Sequence, residues 1–133
     1  MIKKVFIIDD DEISVYLTSF IIESADFAQE IHAFFNADDA FAGLLQLDYS
    51  QMPEIILLDL NMPQKCGWDF LDMLTSCEIE LLDKTSIYIL TSSIAESDKI
   101  RSERYPLVNG FLHKPLDDDS LALIKRTYLR HSR

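Results

Sequence analysis

Four short aliphatic and aromatic runs, each closed by a polar side chain, constrain this chain more than any other feature. Val5-Phe6-Ile7-Ile8 ends in Asp9-Asp10-Asp11, and Ile55-Ile56-Leu57-Leu58 ends in Asp59. Ile87-Tyr88-Ile89-Leu90 ends in Thr91, and Phe111-Leu112-His113 ends in Lys114. Apolar runs without polar alternation fit strands covered on both faces, as in a parallel sheet. Between them lie segments with helical spacing. Ile13, Leu17, Phe20 and Ile21 form the first, and Ala40, Leu44 and Leu47 behind Asn36 as N-cap form the second. Phe70, Leu71 and Leu74 form the third, and a polar segment from Glu96 to about Glu103, closed by Pro106, the fourth. Leu121, Ile124 and Tyr128 follow Asp117-Asp118-Asp119, acidic groups that favour a helix N-terminus. With the apolar stretch from Ile31 to Phe35 as a further strand, strand and helix alternate five times. That alternation implies right-handed crossovers and an α/β fold with helices on both faces of the sheet.

In such a sheet, ligands bind beyond the carboxyl ends of the strands. Two strands that finish in Asp therefore aim several carboxylates at one spot. Clustered carboxylates repel unless a cation or proton intervenes, so the arrangement predicts a hard divalent metal with oxygen ligands. Thr91 and Lys114 add a hydroxyl and an ammonium, and the set is equipped to hold a phosphoryl group.

The chain has 133 residues, enough for one domain with a real core and too few for two. Its formal net charge of −11 argues against direct nucleic-acid binding, which needs a basic surface. No apolar run is long enough to span a bilayer, and Met1-Ile2-Lys3-Lys4 leaves no room for a secretory signal before the first strand. A cytoplasmic location with no membrane partner is the resulting expectation. Cys66 and Cys77 lack metal-ligand spacing and read as reduced thiols. His32, His113 and His131 read as surface or packing residues, and Phe34, Phe35 and Trp68 as core or half-buried positions.

Asp9-Asp10, then Asp59-Leu60-Asn61-Met62-Pro63 with Gly67, then Thr91, then Lys114-Pro115 resemble the receiver domain of bacterial two-component response regulators. The resemblance runs from Lys3 to Tyr128, and its four pieces each sit at the end of an expected strand. It implies a flavodoxin-like (βα)5 doubly wound parallel sheet of order 2-1-3-4-5. It also implies a stand-alone receiver over residues 1–133, without an output domain, that acts through a separate downstream protein. By the same resemblance Asp59 is the phosphoacceptor, charged by a sensor histidine kinase or a histidine phosphotransfer protein. Mg²⁺ is held by Asp10, Asp59 and the backbone carbonyl of Asn61, with Asp9 acting mostly through water. Lys114 pairs with Asp59 and then with the phosphoryl group, Thr91 donates to a phosphoryl oxygen, and Phe111 is the switch aromatic. Such a domain is a signalling element, not an enzyme on other substrates. Its partner face is helix four, strand five and helix five, with Arg101, Arg104, Tyr105 and Phe111 as contacts.

The chain departs from the family pattern at Cys66, where Asp is frequent, at Ser92, where Ala is frequent, and at Phe111, which lacks a tyrosine hydroxyl. Ser92 is small enough to admit a phosphoryl group beside Thr91.

Two rival readings use the same residues. Asp9-Asp10-Asp11 also satisfies the Asp-x-Asp motif of haloacid-dehalogenase-type phosphohydrolases, with Asp9 as nucleophile, Asp11 as general acid, and Thr91 and Lys114 as phosphate binders. That reading leaves Asp59 and the Met62-Pro63 loop without a task. It also finds no later Asp pair beyond Lys114, and Asp11 with Glu12 suits a helix cap. A receiver-like adaptor that never takes phosphate is the third reading, and the retained Asp59, Thr91 and Lys114 weigh against it.

Overall fold

The computed structural model describes residues 2–77 and 83–131, with the side chain of His131 outside the described set. Five parallel strands form one sheet in the order β2-β1-β3-β4-β5. In chain order they are β1 (Lys4–Ile8), β2 (Glu30–Phe34), β3 (Ile55–Leu58), β4 (Ser86–Thr91) and β5 (Val108–His113). The helices are α1 (Glu12–Ser24), α2 (Ala37–Leu45), α3 (Gly67–Ser76), α4 (Glu96–Ser102) and α5 (Asp118–His131). The fold is the expected doubly wound one. β5 begins three residues before Phe111, because Val108 pairs with Ile87.

β3 is the central strand, and all four of its residues are buried, as its unbroken Ile-Ile-Leu-Leu run requires. Its alternate residues feed two cores. Ile56 and Leu58 join Phe6, Ile8, Leu44, Phe70 and Leu71 on one face. Ile55 and Leu57 join Val5, Ile7, Ile22, Tyr88 and Ile124 on the other. Each fully buried Ile or Leu contributes about 1.5–3 kcal/mol relative to exposure. Both cores end at the carboxyl edge of the sheet, where the polar residues begin.

Helix starts follow local chemistry. The Asp11 carboxylate accepts from Ile13 N at 3.0 Å, Asn36 Oδ1 accepts from Asp39 N at 2.7 Å, and Asp117 Oδ1 accepts from Ser120 N at 2.8 Å. Between β4 and β5 the register slips by one residue, so Tyr88 faces Gly110. Asn109, the extra residue, accepts from the Ile87 amide at 3.1 Å through its side chain, and a Cβ on Gly110 would lie 2.9 Å from the Tyr88 ring.

The apolar residues that mark α1 in the sequence do form a helix, but most of them face outward. Ile13, Leu17 and Phe20 are 50–71% exposed, and only Ile21 of that set packs partly against the core. Val15, Thr18 and Ile22 are the buried residues. The helix carries two apolar stripes, and the one with Val15 and Ile22 joins Val5, Ile7, Ile55 and Leu57 in the core. Leu47 lies beyond the end of α2 but still packs on the core.

Candidate functional site

At the carboxyl edge, β1 and β3 lie side by side with Ile8 opposite Leu58, so Asp9 and Asp59 leave the sheet as neighbours. The Asp59 amide donates to Ile8 O at 2.9 Å, and the Asp9 amide donates to Phe34 O at 3.0 Å. Both residues are buried, while Asp10 is exposed at the rim. Ligand oxygens of Asp9, Asp10 and Asp59 all lie within 4.8 Å of one another, which makes them the metal-compatible carboxylate cluster among the described residues.

Lys114 enters from the end of β5, where its amide donates to Thr91 O at 2.9 Å and its peptide to Pro115 is cis. Its Nζ lies 2.7 Å from Asp9 Oδ2 and 3.6 Å from Asp59 Oδ2. The ammonium thus bridges the two buried carboxylates and sits closer to Asp9 than to Asp59. Asp9 Oδ1 accepts from the Asp11 amide at 3.0 Å, so both Asp9 oxygens have donors. Asp59 is treated differently, because its buried Oδ1 has no hydrogen-bond partner. Burial, and next the negative charge of Asp9, push the Asp59 carboxyl above the usual range; Lys114 and the Thr91 hydroxyl pull it back only in part. A buried oxygen without a donor is costly.

Thr91 is fully buried, and its hydroxyl oxygen accepts from the Ser93 amide at 3.2 Å. Ser92 is exposed beside it, as is Asn61, two residues after Asp59. Gly67 closes the loop after Asp59: its amide donates to Leu60 O at 3.0 Å, and a Cβ there would lie 2.6 Å from Asp59 O. No side chain fits that approach without moving the Asp59 peptide. Phe111 is half-buried on β5 with its ring edge-on to exposed His113, centroids 5.5 Å apart.

The structure brings Asp9, Asp10, Asp59, Thr91 and Lys114 together as expected. Asp11 stands apart: its carboxylate caps α1 through the amides of Ile13 and Ser14. A general acid at Asp11 would have to abandon that cap. Arg101 and Tyr105 make their ring contacts with α3. Tyr105 stacks on Trp68 at 5.4 Å, and Arg101 lies 4.6 Å above the same ring. Two features had no counterpart in the sequence reading. One is the role of Trp68 as a contact between α3 and α4. The other is a groove beside the site, lined by Ile13, Leu17 and Ile21 of α1 and by Lys114, Pro115 and Leu116. The groove was legible in principle, since α1 has more apolar residues than one buried stripe can use.

Comparison with known proteins bears on the same residues. The response regulator receiver domain family matches residues 5–125. The response regulator Rre1 of Synechocystis sp. is 28% identical over 96% of this chain and 52% of its own length. Hybrid signal transduction histidine kinase C of Dictyostelium discoideum is 30% identical over 94% of this chain and 10% of its own. This chain therefore spans about half of one curated relative and a small part of the other. A two component response regulator from Cytophaga hutchinsonii superposes with a TM-score of 0.90 at 29% identity, covering 97% of this chain and 98% of that one. Among the described residues, no helix is long and apolar enough to cross a membrane. The chain belongs to the response regulator receiver domain family, the signalling domains of two-component systems.

Proposed function

We propose that this domain accepts a phosphoryl group on Asp59 from a phosphohistidine donor and passes the change on by protein contact. The observation that carries this reading is the unpartnered, buried Oδ1 of Asp59 beside Asp9, Asp10 and Lys114. A carboxylate oxygen left without a donor in a closed crevice is poised for a cation or a bond to phosphorus. The donor set suits Mg²⁺, a hard ion that takes carboxylate, carbonyl and water oxygens. Asp10, Asp59 and the Asn61 carbonyl would hold it, with Asp9 nearby, and the ion supplies charge neutralisation for the crowded carboxylates and phosphoryl oxygens.

The chain's own residues do the rest. An Asp59 oxygen attacks phosphorus, a new O–P bond forms, and the N–P bond to the donor imidazole breaks. The imidazole keeps the electron pair and takes its proton from solvent. Lys114 is close enough to Asp59 to follow the phosphoryl oxygens, and Thr91 supplies a hydroxyl from a fully buried position. Ser92 leaves room beside it, and Phe111 is placed to respond on β5. The apolar groove between α1 and Lys114-Pro115-Leu116 borders the crevice and gives a donor helix a surface to rest on.

The haloacid-dehalogenase reading loses its general acid to the α1 cap and leaves the Asp59 oxygen unexplained. Incubation with acetyl phosphate and Mg²⁺ separates the readings. The phosphoacceptor reading expects one hydroxylamine-labile acyl phosphate per chain, formed only with Mg²⁺. Turnover of phosphomonoesters without a stable adduct on Asp59 contradicts it.

A further inference from the structure

α4 is anchored in an unusual way. It is the shortest of the described α-helices, its N-cap Ala95 offers no side-chain acceptor, and its buried residue is Ser102. Ile94, just before it, is 92% exposed, and Ile100 on it is 48% exposed. An amphipathic helix is ordinarily held by its apolar stripe, and α4 presents none to the core. Polar and aromatic contacts hold it instead.

At its C-terminal end, Arg101 lies over the Trp68 ring at 4.6 Å and Tyr105 stacks on that ring at 5.4 Å with planes 24° apart. The Tyr105 hydroxyl donates to Asp72 Oδ1 at 3.0 Å. All the groups on the other side belong to α3, the helix that follows the Asp59 loop, and Trp68 adjoins the Gly67 that abuts the Asp59 carbonyl. At the N-terminal end, Ser93 Oγ donates to Asp98 Oδ2 at 2.6 Å, and the Ser93 amide donates to Thr91 Oγ1 at 3.2 Å. One end of α4 is therefore tied to the hydroxyl at the site, and the other is clasped to α3.

We propose that Trp68, Asp72, Arg101 and Tyr105 form an inhibitory clasp that keeps α4 seated until Asp59 is phosphorylated. The proposal rests on the phosphoacceptor reading of Asp59. Movement of Thr91 toward a phosphoryl group draws Ser93 inward, and Ser93 pulls the first turn of α4 through Asp98. With no buried apolar stripe to resist, the helix shifts as a unit, and Arg101 and Tyr105 lift from Trp68. Arg101, exposed, and Tyr105, half-buried, are then released from Trp68 and Asp72 and free to re-pair with a partner in the modified state. A contact present in one state and absent in the other biases the equilibrium by its own strength.

Trp68 is the single tryptophan of the chain, so its fluorescence reports the clasp directly. The full chain is titrated with Mg²⁺ and beryllofluoride, and bound fluoride is followed by fluorine NMR while acrylamide quenching of Trp68 is measured. Saturation is expected to raise the quenching constant about twofold, and Tyr105→Phe to lower the beryllofluoride half-saturation about threefold, since activation no longer breaks the bond to Asp72. Arg101→Gln should act in the same direction. Bound fluoride with unchanged quenching overturns the clasp and leaves the phosphoacceptor reading intact, as does a Tyr105→Phe protein that titrates like wild type. Absence of a bound fluoride signal overturns the phosphoacceptor reading, and the clasp with it.

Discussion

β3 is flanked by two buried carboxylates, Glu54 just before it and Asp59 just after it, and they are handled in opposite ways. Glu54 is 4% exposed and Asp59 6%. Glu54 Oε1 accepts from the amides of Lys3 and Lys4 at 3.2 and 2.9 Å, and Lys84 Nζ lies 3.9 Å from Oε2. The Lys84 ammonium is held there by Tyr49 O at 3.4 Å and Ser50 O at 3.3 Å. That carboxylate ties the start of β1 to the start of β3. Asp59 sits at the other pole with one oxygen unpartnered, a second carboxylate pressed against it and a lysine shared between the two. Burial alone does not mark a functional acid. A buried acid whose surroundings leave it unsatisfied does, because the fold has tolerated a cost that structure alone does not repay.

The contrast breaks most readily at Gly67. A Cβ there meets the Asp59 carbonyl at 2.6 Å and Leu60 Cα at 3.0 Å. Gly67→Ala is expected to cost about 1–3 kcal/mol in urea denaturation and to depress labelling at Asp59 as well. Glu54→Ala strands two backbone donors and should cost a comparable 1–3 kcal/mol, roughly, while labelling of the folded protein stays at the wild-type level. A labelling defect in the folded Glu54→Ala protein would erase the distinction between the poles.

Asp59→Asn should move stability the other way. The folded-state pKa of Asp59 is raised, so its protonated form is favoured by folding and its charged form is penalised. Wild-type protein therefore loses stability as pH rises through that folded value, and the Asn variant does not. At neutral pH the variant should melt a few degrees higher, with the gap closing toward about pH 4, where the unfolded carboxyl protonates. Thermal melts at several pH values check the sign, and a variant that is less stable at pH 7 contradicts it. Lys84→Met is the smallest effect expected, about 0–1 kcal/mol, because a partly exposed pair at 3.9 Å is weak.

The parallel sheet was legible because the apolar runs of β1, β3 and β4 suit burial on both faces and each ends in the residue that carries chemistry, whereas the strand order came from the family resemblance and not from the runs. The Asn36 and Asp117 caps were legible for the same local reason. The existence of α1 was legible but its buried face was not, because Ile13, Leu17 and Phe20 face outward and helical spacing alone does not say which of two apolar stripes meets the sheet. The shared Lys114 contact and the Trp68 clasp depend on distances across elements far apart in the chain, which composition and spacing do not encode. The start of β5 was missed because the extra residue Asn109 interrupts its pairing.

The most direct test is to map the label left by acetyl phosphate and Mg²⁺ on the wild-type, Asp59→Asn, Asp9→Asn and Glu54→Gln proteins by peptide mass spectrometry. A single phosphoryl group on Asp59 is expected in wild type and Glu54→Gln, with none in Asp59→Asn. Stoichiometric label on Asp9 in the Asp59→Asn protein would contradict the assignment of Asp59 as the acceptor.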